Sequence, residues 1–122
     1  MTDVDRAHEQ LLGRAYEAFN RRDIDAALAI MHPEVDWPNG MEGGRVHGHD
    51  AVRAYWTRQF TVIDSRVEPQ AFSATEGGRI AVEVHQVVRD SDGGLLSDGM
   101  VRHLYAIRDG LVERMDIVEP PV

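Results

Sequence analysis

The sequence predicts an α+β domain, with helices first and a curved antiparallel sheet after them. Two features carry that prediction. Apolar residues recur at helical spacing through the first half of the chain, and after Asp64 the period changes to two. The period-two stretches are separated by glycine-rich turns, which is the signature of strands joined as hairpins. The 122 residues suit one domain, and no repeat or linker divides them.

Residues 4 to 21 read as the first helix. Val4, Leu11, Leu12, Ala15, Tyr16, Ala18 and Phe19 form one broad apolar stripe. Asp3 is the expected N-cap, and Asp5 and Glu9 favour the positive end of the helix dipole. Asp23 is placed to cap a second, shorter helix over 24–31, which turns Ile24, Ala27, Leu28 and Met31 inward. It should stop at His32-Pro33, since a residue before proline avoids the helical region. Val35-Asp36-Trp37 is a short extended piece ending at Pro38, and residues 39–44 are loop by composition. A third helix over 50–60 carries Val52, Tyr55, Trp56, Gln59 and Phe60 inward.

Strands are expected at 66–75, 79–89, 96–108 and 111–118. Glu76-Gly77-Gly78, Asp90-Ser91-Asp92-Gly93-Gly94 and Arg108-Asp109-Gly110 supply the turns, and Glu119-Pro120-Pro121 ends the last strand. Helices covering one face of a strongly curved sheet enclose a cone, which makes a natural small-molecule pocket.

Composition narrows the chemistry. Thirteen basic against 21 acidic residues give a net charge of −8, which opposes binding to nucleic acid or to an anionic membrane. Every one of those cations is arginine, so a Schiff-base lysine is excluded. With no cysteine there are no disulfides, thiolate nucleophiles or iron–sulfur ligands. The start of the chain is polar and acidic, unlike a secretory signal, and no apolar run approaches the roughly 18 residues of a membrane span. The expectation is a cytoplasmic protein without cofactor or metal.

Four stretches carry a family resemblance. They are Ala15-Tyr16-Glu17-Ala18-Phe19-Asn20-Arg21-Arg22-Asp23, His32-Pro33-Glu34-Val35-Asp36-Trp37, Gly48-His49-Asp50-Ala51-Val52-Arg53-Ala54-Tyr55-Trp56 and Ile107-Arg108-Asp109-Gly110-Leu111-Val112. In this order they resemble the SnoaL-like branch of the nuclear transport factor 2 (NTF2-like) superfamily, over roughly residues 8 to 118. The resemblance implies a cone-shaped α+β barrel of NTF2-like or cystatin-like fold, with three N-terminal helices packed on the curved antiparallel sheet. It also implies a homodimer through the convex sheet face and a pocket between helices and sheet. Polyketide cyclases, ketosteroid isomerases, epoxide hydrolases, dehydratases and proteins without chemistry share this fold, so the fold names no reaction. Strand 79–89 supports an interface independently, because it is apolar on both parities and needs a second cover.

The large side chains expected to line the cone are Tyr16, Phe19, Met31, Trp37, Trp56, Phe60, Met100 and Tyr105, with plain core packing as the alternative for each. His103 shares parity with Tyr105 and Ile107. By resemblance, isomerase-type members place an acidic hydrogen-bond donor near this strand position, so His103 is a candidate donor or acid–base group. Asp116 is the candidate carboxylate partner of His103 or a base in its own right; by resemblance several enzyme members carry a carboxylate in that strand, although a one-residue bulge would exchange it with Met115. A salt bridge to Arg102 or Arg114 is the bland alternative.

Isomerase-type members carry their base where this chain reads Val35-Asp36-Trp37-Pro38. The alignment puts Trp37 there and turns Asp36 away. His85 and Glu83 fall on the outer, dimer face if Val82 and Val84 point inward; otherwise they converge with His103 across the cone, and the outer placing is the better reading. His47 and His49, with Glu42 or Asp50, have a spacing a metal could use, but they read better as loop and helix start.

Two functions compete. One is a cofactor-independent isomerase, cyclase or lyase acting on a small apolar carbonyl compound by acid–base chemistry. The other is a non-catalytic ligand-binding or dimerisation module. Epoxide hydrolysis is a third reading and needs Arg102 and Asp116 to face inward together. Convergence of ionisable groups on one vacant volume separates the enzyme from the module.

Overall fold

The computed structural model describes residues 5–39, 43–75 and 77–118. Helix α1 (Arg6–Asn20) is followed by α2 (Ile24–Ala29), strands β1 (Met31–Pro38) and β2 (Arg45–His47), and helix α3 (His49–Val62). Strands β3 (Ile63–Ala74), β4 (Ile80–Asp90), β5 (Leu95–Arg108) and β6 (Leu111–Val118) complete the chain. They form one six-stranded sheet in the order β2-β1-β6-β5-β4-β3.

The first cap sits later than expected. Asp5 accepts a hydrogen bond from the Ala7 amide at 2.8 Å, while Asp3 and Val4 lie outside the described residues. Asp23 caps α2 as the sequence indicated, accepting from the Ala26 amide at 3.1 Å. That helix ends at Ala29, and the strand then runs straight through Pro33. Proline is tolerated here because β1 meets β6 at Met31 and again at Asp36, with a register shift between them. Its missing N–H therefore falls in the irregular stretch.

The β1–β6 pairing is parallel, which corrects the expectation of a wholly antiparallel sheet. The two strands run in the same sense, and the long connection between them carries β2, α3 and strands β3 to β5. The β5–β6 hairpin is the tightest, with Asp109 and Gly110 at φ 54° and 76°. Two positive φ values in succession match the hairpin turn that Asp-Gly favours. Glu76 and residues 119–122, read as turn and strand end, lie outside the described residues.

Bulges bend the sheet: pairing slips between Pro69 and Ala71, between Val88 and Arg89, and between Ala106 and Ile107. Helices α1 and α3 lie on the concave side, with Leu11, Leu12, Tyr16, Val52, Tyr55 and Trp56 buried there. From the sheet, Val67, Ile80, Val82, Val84, Tyr105 and Met115 meet them in one core cluster. Two polar clamps fix the helical corner on β3. The Asn20 amide donates to the Val67 carbonyl at 2.7 Å and accepts from the Val67 amide at 3.0 Å, standing in for a neighbouring strand. Arg22 donates to the Phe19 and Ser65 carbonyls at 3.0 and 2.8 Å, pairs with Asp64, and lies 4.5 Å over the Phe60 ring.

Candidate functional site

Alternation along the strands decides what the concave face carries. On β4, Val82 and Val84 are fully buried, which puts Glu83 and His85 on the outer face. There Glu83 pairs with Arg102 at 2.6 Å and His85 with Asp98 at 2.6 Å. His103 stands opposite Val82 and Tyr105 opposite Ile80, so both point inward.

His103 is 6% exposed, and its Nδ1 lies 2.8 Å from the Tyr16 hydroxyl. The Tyr105 hydroxyl donates to that same Tyr16 oxygen at 2.8 Å. Each proton is used once if Tyr105 donates to Tyr16 and Tyr16 donates to Nδ1, which leaves the imidazole proton on Nε2. Burial favours the neutral ring and pulls its pKa down to about 4. Burial also raises both phenols above their ordinary value, so neither ionises near neutrality. Nε2 makes no hydrogen bond among the described residues, and the ring lines a hollow.

That hollow has a cavity volume of about 80 Å³. Tyr16, Phe19, Met31, Trp37, Trp56 and Tyr105 line it as the sequence indicated. Trp37 and Trp56 meet edge to face at 5.4 Å, and Phe19 meets Trp56 at 5.7 Å. Ala15, Pro38, Tyr55, Gln59, Ser65, Val67, Gln86, Met115 and Ile117 complete the wall. Of these, Gln59 already stood on the inward stripe of its helix. Ser65 and Gln86 could have been found by parity with Val67 and Val84. They meet across the wall, with the Gln86 amide donating to the Ser65 hydroxyl at 3.3 Å.

Three expected site residues are placed elsewhere. Asp116 lies on the outer face, held by Arg114 at 2.9 Å, Arg45 at 3.0 Å and Arg79 at 3.2 Å. Hydrogen bonding from Arg114, supported by the charges of the other arginines, keeps its carboxyl below the ordinary value. The cause of its placement is a bulge. Ile107 pairs with Val112 but Ala106 with Arg114, so Glu113 is skipped and parity reverses. Buried Val112 and Met115 are then both inward, and Asp116 is out. Met100 is an odd number of residues from His103, so it emerges on the outer face, 46% exposed. Phe60 packs against Phe19 at 5.2 Å and beneath Arg22, and it is not part of the hollow's wall.

Asp36 also faces out, paired with Arg45 and Arg114, while Trp37 faces in. His47 reaches Glu34 at 3.3 Å, whereas His49 donates to the Met31 carbonyl at 2.9 Å, so the two rings do not converge. Glu42 lies outside the described residues. Among the described residues, no three His, Asp or Glu side chains are grouped to hold a metal, and no helix is long and apolar enough to cross a membrane.

A family model for the SnoaL-like domain matches residues 12–115. Among solved structures, an NTF2-like protein of unknown function from Burkholderia pseudomallei is 30% identical, with a TM-score of 0.80 over 93% of this chain and 91% of that one. TerC, crystallised with polyporic acid, is 28% identical, with a TM-score of 0.80 over 93% and 92%. A putative polyketide cyclase from Xanthomonas campestris is 25% identical, with a TM-score of 0.77 over 92% and 89%. No curated protein matches the chain.

Proposed function

Because the chain belongs to the SnoaL-like domain family of the NTF2-like superfamily, we propose that its hollow takes a small, flat, largely apolar carbonyl compound. We further propose cofactor-independent acid–base chemistry of isomerase, cyclase or lyase type on that compound. One observation carries this reading. A neutral imidazole, pinned at Nδ1 by Tyr16, leaves Nε2–H unbonded among aromatic walls. Such a donor polarises a ligand carbonyl and stabilises the charge that grows on its oxygen as a neighbouring C–H passes its proton to water, the acceptor left once the carboxylates Asp36 and Asp116 face outward. Low polarity around it strengthens that interaction. His103 is then the polarising donor, and Tyr16 and Tyr105 hold its tautomer.

The second reading, a binding module without chemistry, draws support from Asp116, whose carboxylate faces away from the hollow. Deuterium exchange separates the two. With 2-tetralone in D2O, the protein should accelerate exchange of the protons next to the carbonyl, and His103→Leu should lower that rate at least about tenfold. Saturable quenching of Trp37 and Trp56 fluorescence without exchange would favour the binding module. Polyporic acid, the compound crystallised with TerC, is the second probe for quenching. If neither compound binds, the pocket reading fails.

A homodimer across the outer sheet face is part of the proposal. Met100 and Val118 are exposed on that face, with Leu95 and Leu96 exposed at the start of β5. Light scattering should give a dimer mass for the wild type and a monomer mass for Met100→Arg. A wild-type monomer would remove this part. The acidic, cysteine-free composition supports the cytoplasm as its place and argues against nucleic-acid or membrane partners.

A further inference from the structure

Gln59 has one unmet need. Its Nε2 donates to the Tyr55 hydroxyl at 3.2 Å, but its Oε1 is buried and has no hydrogen-bond partner among the described residues. Among the described side-chain polar atoms that are themselves fully enclosed, it alone is in that state, whereas His103 Nε2 is unbonded but open to the hollow. A buried acceptor left unpaired is costly, and a satisfied core amide would show both ends bonded. Gln59 is also part of the wall of the hollow.

We propose that Gln59 Oε1 is a specificity contact that receives a hydrogen bond from a hydroxyl group of the ligand. The inference rests on the pocket reading above and sharpens it. His103 on β5 offers a donor through Nε2–H, while Gln59 on α3 offers an acceptor. Ring contacts from Tyr105 to Trp37 at 6.5 Å and from Trp37 to Trp56 at 5.4 Å connect the two elements along the wall. Trp56 sits one helical turn before Gln59 on α3. The class of ligand that answers both groups is a flat ring system with a carbonyl at one position and a phenolic or enolic hydroxyl at another. A simple hydrocarbon ketone answers His103 alone.

The test uses three ketones that differ at one position: 2-tetralone, 6-hydroxy-2-tetralone and 6-methoxy-2-tetralone. Affinity is read by tryptophan quenching for the wild type, Gln59→Leu and His103→Leu. The wild type should prefer the hydroxy over the methoxy compound by about tenfold, the worth of one net hydrogen bond. Gln59→Leu should abolish that preference while 2-tetralone still binds. His103→Leu should weaken all three compounds alike. Gln59→Leu should also unfold at a temperature no lower than the wild type, because it removes an unpaired buried acceptor. Equal wild-type affinity for the hydroxy and methoxy compounds, or an unchanged preference in Gln59→Leu, overturns the Gln59 assignment while the His103 reading stands. If none of the three binds, both fall together.

Discussion

Lowering the pH from 6.5 to 4 is expected to remove about 3 kcal/mol of stability through one side chain, His103. In an unfolded chain this imidazole takes up its proton near 6.5. In the folded protein, burial holds it back until about 4. Between those values the unfolded state binds more protons, so stability falls as the pH falls. Above 6.5 both states are neutral and the ring contributes no slope; below 4 both are protonated and the loss saturates. Urea midpoints measured from pH 7.5 to 4 read this directly. His103→Gln keeps an acceptor for the Tyr16 hydroxyl but cannot titrate, so its midpoint should be nearly flat over the same window. A parallel slope in that variant would show that other groups carry the acid sensitivity.

Replacing Trp56 should have an effect at least as large. The side chain is 2% exposed and braces α3 against Phe19 on α1 and Trp37 on β1. Truncating a buried tryptophan costs about 3–5 kcal/mol, from lost transfer energy plus the void left behind. Here the void opens into an existing hollow, so little wall is available to close over it. Trp56→Ala should therefore remove a large share of the stability of an ordinary small domain, about 5–15 kcal/mol, and all of it only at the low end of that range. It should also abolish ligand quenching. Trp56→Phe retains an aromatic edge for Trp37 and should cost less than half as much. A Trp56→Ala variant within about 1 kcal/mol of the wild type would mean that the walls relax inward readily.

Much of this arrangement can be read from the chain because local rules and burial agree. The inward stripe of α3 was legible from spacing alone. So was the Asp109-Gly110 turn, since two successive positive φ angles have few residues that tolerate them. The placing of His103 and Tyr105 on one face followed from period two. What resisted reading was parity after an irregularity. Nothing in Leu111-Val112-Glu113-Arg114 announces that Glu113 will be skipped, yet that one residue sends Asp116 outward. Pro33 was legible in part: the helix does end before it, at Ala29, but the strand begins at Met31 and runs through the proline where the pairing lapses. Met100 departs from its expected place for a legible reason, since its odd spacing from Tyr105 assigns it the opposite face. Gln59 shows a different limit. Its place on an apolar stripe was visible, but an unanswered oxygen can be recognised only once every neighbour is in position.

The Asn20 side chain has a consequence for crowded solutions. As the longer of the two edge strands, β3 presents main-chain groups that another polypeptide could recruit. At Val67 both of those groups are already engaged by one carboxamide from α1. A second molecule therefore meets an interrupted border there and cannot extend the ladder through it, which directs self-association away from fibre-like stacking.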